Sequence, residues 1–317
     1  MILQPLHFSK LKFLLSLLFY VSFLQVQAQK RFSIIAFGDM PYHVPADFER
    51  FKKLTAAVNQ ANPYLAVHVG DIKNGYSDCS DAYFELIKSM FMQFKGPLIF
   101  TPGDNDWTDC YRPASGNYNT VERLQKLRSV FYDGRQSLGK KPLPTFNQSN
   151  RKGFEKFVEN QYWEHAKISF GTIHVVGSNN NLQSDPDKNQ EFYERDAANL
   201  DWLDYIFDEA DRKKHKGVVL FTQAAMNFKG DKASGHFKIV QKLRDRVEKF
   251  KRPVLLVYGD YHRFLIEKPL VNASGKLLTN FTSVMVFGEY DMHGVKIDID
   301  PKSKNLFRFS EFWVDGN

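Results

Sequence analysis

Three apolar runs in the first third of the chain each end on a Gly-Asp pair. RFSIIAF (31–37) runs into Gly38-Asp39, YLAVHV (64–69) into Gly70-Asp71, and PLIFT (97–101) leads to Gly103-Asp104. Between them, Ala46 to Asn59 places Phe48, Phe51, Leu54 and Val58 on one helical face, and Asp81 to Phe94 reads as a second helix. Continuous apolar runs suit strands buried on both faces, and their alternation with helices predicts β-α-β-α-β with parallel strands. Ligands in such sheets gather outside the carboxyl ends of the strands, where all three Gly-Asp pairs fall.

Further along, Val121 to Phe131 reads as a helix and Lys167 to Val176 as strands. A long helix is expected over Arg195 to Lys214, a strand at Gly217 to Thr222, a helix at Phe237 to Phe250 and a strand at Pro253 to Gly259. The end of the chain turns to β: FLIEKP, FTSVMVFG, GVKIDID and LFRFSEFW. Residues 134–164 are polar and irregular and read as a surface insertion. With the 183–195 loop, they are expected to wall the cleft. Two packed mixed β-sheets flanked by helices, an α/β architecture, is the fold these runs favour.

The first 28 residues have another character. Lys10 and Lys12 precede an apolar run of about 12 residues, and Val26-Gln27-Ala28 has the small residues of a cleavage site. A membrane span needs about 20, so this is expected to be a cleaved signal peptide. It would leave residues 29–317 as one domain, secreted or periplasmic, with no later segment apolar enough to span. Without the two leader lysines, net charge falls from +7 to +5. That is weak support for nucleic acid and suits anionic small substrates equally. Two cysteines remain, Cys79 and Cys110. An even count in an exported chain favours one disulfide over two thiolate ligands.

Five short motifs stand at strand ends. They are FGDMPYH (Asp39, Tyr42, His43), VGDIKNG (Asp71, Asn74), PGDNDW (Asp104, Asn105, Asp106), FTQAAMN (Gln223, Asn227) and YGDYH (Asp260, His262). Glycine lets the backbone turn sharply, so the next carboxylate can face a cleft. Converging carboxylates repel unless they are protonated or bound to cations. A binuclear metal centre is the simplest arrangement that keeps them together.

In order and spacing these motifs resemble the calcineurin-like metallophosphoesterase superfamily, whose pattern is D-x-H, G-D, G-N-H-[DE], a lone His, and G-H-x-H. GDMPY and PGDNDW mark an atypical subgroup. The resemblance implies an αββα sandwich and two divalent ions held by Asp39, Asp71, Asp104, Gln223, Asp260 and His262, with Asp71 shared. It departs at Pro41, which stands where the first motif has His. Asp104 stands for Asn, Asn105 for His, Gln223 for the lone His and Asp260 for the first His of the last motif. An oxygen-rich set favours Mg, Mn or Ca over Zn or Fe. Asn105 can donate a hydrogen bond to phosphate but cannot be a general acid. His43 or His174 is left for that role, with His174 equally readable as a core residue. His68, inside an apolar strand, reads as core.

The implied activity is an exported, metal-dependent phosphoesterase acting on a phosphorylated small molecule through a metal-bound hydroxide. Two alternatives remain. One is a binding or scaffold protein on a degenerate phosphoesterase fold, suggested by Pro41, Asn105 and Gln223. The other is a nuclease or nucleotide hydrolase, for which basic charge is the only added support.

Overall fold

The structure is a computed structural model that describes residues 30–317, so the leader expected over 1–28 lies outside the described residues. Arg31–Asn317 form one compact unit. Its strands are β1 (Phe32–Phe37), β2 (Leu65–His68), β3 (Leu98–Phe100), β4 (Phe146–Asn147), β5 (Gln161–His165), β6 (Ile168–Thr172), β7 (Gly217–Phe221), β8 (Val254–Tyr258), β9 (Leu265–Glu267), β10 (Phe281–Met285), β11 (Gly294–Ile299) and β12 (Phe307–Phe312). They build a five-stranded sheet, β12-β11-β1-β2-β3, and a seven-stranded sheet, β4-β5-β6-β7-β8-β10-β9. Each is mixed. β1, β2 and β3 are parallel, as are β6, β7, β8 and β10, while β11, β12, β4, β5 and β9 join by antiparallel pairing.

Alternation along the strands explains the layering. Ile34 and Ala36 of β1 pack with Val219, Phe221, Leu255 and Val257 of the facing sheet. Ile35 and Phe37 point the other way, into a cluster with Phe51, Leu54, Phe84 and Leu127 from the helices Ala46–Ala61, Asp81–Phe91 and Thr120–Phe131. Val218 and Leu220 of β7 likewise meet Trp202, Ile206 and Leu243 from the helices Gln190–Arg212 and Phe237–Phe250. Both faces of these strands are buried, which is why they read as unbroken apolar runs. Each such side chain contributes about 1.5–3 kcal/mol of burial. The order is helix, sheet, sheet, helix, as the sequence predicts. No described helix is long and apolar enough to cross a membrane.

One segment differs from its sequence reading. Residues 134–164 are not a surface insertion, because β4 and β5 extend the seven-stranded sheet from within them. Several of their polar side chains, Gln148, Glu159 and Asn160 among them, are buried and hydrogen-bonded. Gln148 Nε2 donates to Ala198 O at 2.8 Å, and Asn160 Nδ2 to Gln148 Oε1 at 2.8 Å and Asn199 Oδ1 at 3.0 Å. Glu159 is fully buried, paired with Arg128 (Nε–Oε2 2.9 Å) and His174 (Nδ1–Oε1 2.8 Å). Burial alone would raise the Glu159 pKa, but Arg128 and His174 hold the carboxyl well below the usual range. A depressed carboxylate contributes stability that is present above its unfolded pKa and lost as pH falls below it, roughly 4.3. Glu159→Ala should therefore lower unfolding free energy at pH 7 by about 3–5 kcal/mol, with a smaller difference from wild type at pH 3. Urea midpoints at the two pH values check this, and an equal difference at both would reject the ion-pair account.

Candidate functional site

The site lies where the carboxyl ends of both sheets' parallel strands meet. β1, β2 and β3 deliver Asp39, Asp71 and Asp104, while β7 and β8 deliver Gln223 and Asp260. The two sheets are joined by polar bonds across long stretches of chain. Asp260 N donates to both oxygens of Asp39 at 3.1 Å, and Gln223 Nε2 donates to Asp71 Oδ2 at 3.2 Å. His262 Nε2 lies 3.6 Å from Asp39 Oδ1. The six residues Asp39, Asp71, Asp104, Gln223, Asp260 and His262 are thus brought together at one place, although up to 223 positions separate them in the chain (262 − 39).

Close backbone approach makes this possible. A Cβ on Gly103 would overlap Asp71 Oδ1, and one on Gly259 would overlap Asp39 Oδ2. Asp39, Asp71, Asp260, His262 and Glu289 take left-handed φ values of 52°, 57°, 80°, 58° and 52°. Such conformations persist only where the surroundings over-determine them. Asp106 supplies much of that restraint. Its carboxylate accepts from Asp71 N (3.1 Å), Ile72 N (2.8 Å) and Gly103 N (2.8 Å), tying the β2 loop to the β3 loop.

The acids are crowded and buried. Burial pushes the Asp39 and Asp71 carboxyls well above the usual range, and neighbouring carboxylates (Asp260 for Asp39, Asp104 for Asp71) add to it. Burial and the Asp104 charge push Asp260 up to about 6. Asp106 is also raised to about 6 by burial, against its three backbone donors. Buried Lys73, whose Nζ donates to Asn74 O and Asn105 O at 2.9 Å, is one nearby cation. The charge is left in deficit.

At Asp104, the one residue of the six that lines it, opens a cleft of about 590 Å³. Its wall includes His43, Asn74, Tyr76, Asp109, Arg112 and Ser178, so neither 134–164 nor 183–195 lines it. The β2 and β3 loops supply most of the wall. A disulfide joins them, Cys79–Cys110, with Cα atoms 5.8 Å apart and both residues fully buried. Replacing both cysteines by alanine should cost about 3–4 kcal/mol from the loop of roughly 30 residues that the bond closes. Denaturant titration of the double variant measures this. A loss under 1 kcal/mol would show the loops to be held without the bond.

The remaining candidates separate clearly. His43 lines the cleft, its ring stacked on Tyr290 at 4.7 Å and its Nε2 3.6 Å from Glu289 Oε1. His174 is fully buried on Glu159, outside the cleft wall, and so is placed as a core residue and not as a proton donor to substrate. Asn105 commits both amide protons, to Tyr42 Oη (2.9 Å) and Asp71 Oδ2 (3.0 Å), which leaves none for phosphate. His68 is core as expected. Its Nε2 lies 2.9 Å from Met40 O, and burial lowers its pKa to about 4. Sequence reasoning gave no role to Lys73 or Arg112. Their signal, a basic residue two positions after Asp71 and three after Asp109, is too ordinary alone to single them out.

Family comparison matches residues 32–264 to the calcineurin-like phosphoesterases. The chain belongs to that family. No curated protein matches its sequence. Among solved structures, a dimetal phosphatase from Danio rerio is similar at 12% identity and a TM-score of 0.53, with 90% of this chain and 99% of that one covered. GAP50, the anchor in the inner membrane complex of Plasmodium, follows at 12% identity and 0.49, covering 90% of each. A purple acid phosphatase from yellow lupin seeds (Lupinus luteus) gives 13% and 0.47, covering 85% of this chain and 49% of that one. At such identities the Danio likeness shows the fold, which is that of the family.

Calcineurin-like phosphoesterases are dimetal enzymes. Two carboxylates of this chain bear on that pattern. Asp104 Oδ1 is buried with no hydrogen-bond partner, while Ser178 Oγ donates to the other oxygen at 2.6 Å. A Cβ on Gly177 would come within 2.8 Å of Asp104 Oδ1 and 3.0 Å of Asp260 Oδ1, so the two oxygens are near neighbours at Gly177. Mg²⁺ is commonly held by one or two carboxylates, with water and substrate phosphate completing the shell. Among the described residues no three His, Cys, Asp or Glu side chains gather to hold an ion, as a structural Zn²⁺ would need.

Proposed function

We propose that the chain hydrolyses phosphate esters in the cleft at Asp104, beside Asp39, Asp71 and Asp260, with a hard divalent cation such as Mg²⁺ or Mn²⁺. The observation that carries this reading is the unpartnered, buried Asp104 Oδ1 beside Asp260, at the strand ends of a calcineurin-like phosphoesterase. Asp104 and Asp260 would hold the cation. When bound, it supplies Lewis-acid polarisation of phosphoryl oxygens and an activated water.

The chain's own residues supply the rest. Arg112 lines the cleft with its guanidinium over the Tyr76 ring at 4.8 Å and bonded to Gly75 O at 3.0 Å. Its Nη2 pairs with Asp109 Oδ1 at 2.9 Å, so it brings positive charge to the wall for a phosphate and not a free fork. His43 stands at the same wall with its Nε2 near Glu289, suited to protonating a leaving alkoxide. Asp47 fixes the loop that carries it, accepting from Tyr42 N at 3.0 Å and His43 N at 2.7 Å. A polar cleft of this size suits a phosphorylated small molecule. Export through the 28-residue leader belongs to the proposal, supported by a disulfide that needs an oxidising compartment.

The test is turnover of generic phosphate mono- and diesters before EDTA, after EDTA, and after add-back of Mg²⁺ or Mn²⁺. EDTA-sensitive, metal-restored turnover is expected. Absence of turnover with every ester and ion would leave a phosphoester-binding protein instead.

A further inference from the structure

We infer that Asp71 serves as an internal hydrogen-bond acceptor, not as a ligand shared between two ions, and that the centre takes one hard divalent cation, at Asp104 and Asp260. This rests on the cation requirement proposed above and adds its stoichiometry.

The inference follows from counting protons around Asp71. Its Oδ1 accepts from Asn105 N at 3.0 Å. Its Oδ2 accepts from Tyr42 Oη at 3.0 Å, Asn105 Nδ2 at 3.0 Å and Gln223 Nε2 at 3.2 Å. Each donor is fixed in that sense. Tyr42 Oη accepts from Asn105 Nδ2, so its single proton goes to Asp71. Gly177 N donates to Gln223 Oε1 at 2.6 Å, which turns the amide NH₂ toward the carboxylates. Gln223 therefore donates where the family pattern has a ligating imidazole, and its NH₂ also supports the Asp260 carboxylate. Four neutral donors crowd the oxygens of a residue 2% exposed. Little room remains there for an ion, whose ligand oxygens must offer free lone pairs at about 2.1 Å.

The other half of a two-ion site keeps His262, whose Nε2 lies 3.6 Å from Asp39 Oδ1, but is otherwise depleted. Pro41 cannot ligate through its side chain. Tyr42 is spent on Asp71, and His43 is turned to Tyr290 and Glu289. Both oxygens of Asp39 accept from Asp260 N. Against this, Asp104 Oδ1 stands without a partner, a near neighbour of Asp260 Oδ1 at Gly177. That is where an ion is called for.

Mn²⁺ is the probe, added to the metal-free full chain, with ions per chain counted by elemental analysis and electron paramagnetic resonance recorded on the same sample. One ion per chain and a six-line mononuclear spectrum are expected. Asp71→Asn should keep that ion, while Asp104→Asn should lose it. Two ions with a spin-coupled spectrum, or no ion at all, would overturn the inference; so would a folded Asp71→Asn protein that has lost its ion. The wild-type count stands even if Asp71→Asn does not fold. None of these readouts depends on turnover, so one bound ion without hydrolysis would count against the hydrolase reading alone.

Discussion

Asp106→Ala should be the most destabilising single substitution near the cleft, lowering unfolding free energy by roughly 3–6 kcal/mol. Asp106 is fully buried and accepts three backbone N–H groups, those of Asp71, Ile72 and Gly103. Alanine would leave those donors buried and unpaired, at about 1–3 kcal/mol each, and water admitted to the small cavity recovers part of that. The total approaches the whole stability of an ordinary domain. Asp106→Asn separates shape from acceptor number, since an amide has one oxygen in place of two. It should fall between wild type and alanine. Chemical denaturation of the three proteins gives the order. If Asp106→Ala matched wild type within 1 kcal/mol, the strained φ values of Asp39 and Asp71 would need another restraint.

How much of this was legible in the sequence depends on what each residue's partner is. β1, β2, β3, β7 and β8 were legible within a residue or two because burial on both faces leaves no choice but apolar side chains. The Gly-Asp endings were legible for a related reason: few residues besides glycine permit the approaches seen at Gly103 and Gly259. β4 and β5 were not, because the polar groups buried beside them, Gln148, Glu159 and Asn160, are satisfied by Ala198, Asn199 and Arg128 from distant helices. A polar stretch reads as surface unless its partners are known. Gln223 shows the same limit at the site. Whether an amide offers oxygen or NH₂ is decided by Gly177 N, 46 positions away, and no local motif records that. His174 was evenly balanced in the sequence, and its fully buried place on Glu159 was not legible there.

Asp104→Asn tests stability and activity in opposite directions. Asp104 lies among acids whose charges disfavour one another, raising the pKa of Asp39, Asp71 and Asp260 in turn. Asparagine keeps the shape and can still accept from Ser178 Oγ, which now bonds Asp104 Oδ2. It removes one charge, and it places an NH₂ where the unpartnered Oδ1 stands, next to Asp260 Oδ1. The metal-free variant should therefore be more stable than metal-free wild type by on the order of 1 kcal/mol, a Tm increase of about 2–4 °C. Activity should move the other way. With the oxygen that would hold the cation gone, several kcal/mol of charge stabilisation in the transition state are lost, so kcat/KM should drop on the order of 10³-fold. Added Mn²⁺ should raise the Tm of wild type and leave that of the variant unchanged, because only a protein that binds the ion is stabilised by it. Thermal melts with and without Mn²⁺, beside steady-state kinetics, measure all three. A variant that melted lower than wild type without metal would mean that Asp104 is held for structure. One that melted higher yet kept full kcat/KM would place the ion elsewhere. The expected pairing, greater stability with lost activity, is the mark of an acid kept at an energetic cost for the chemistry it supports.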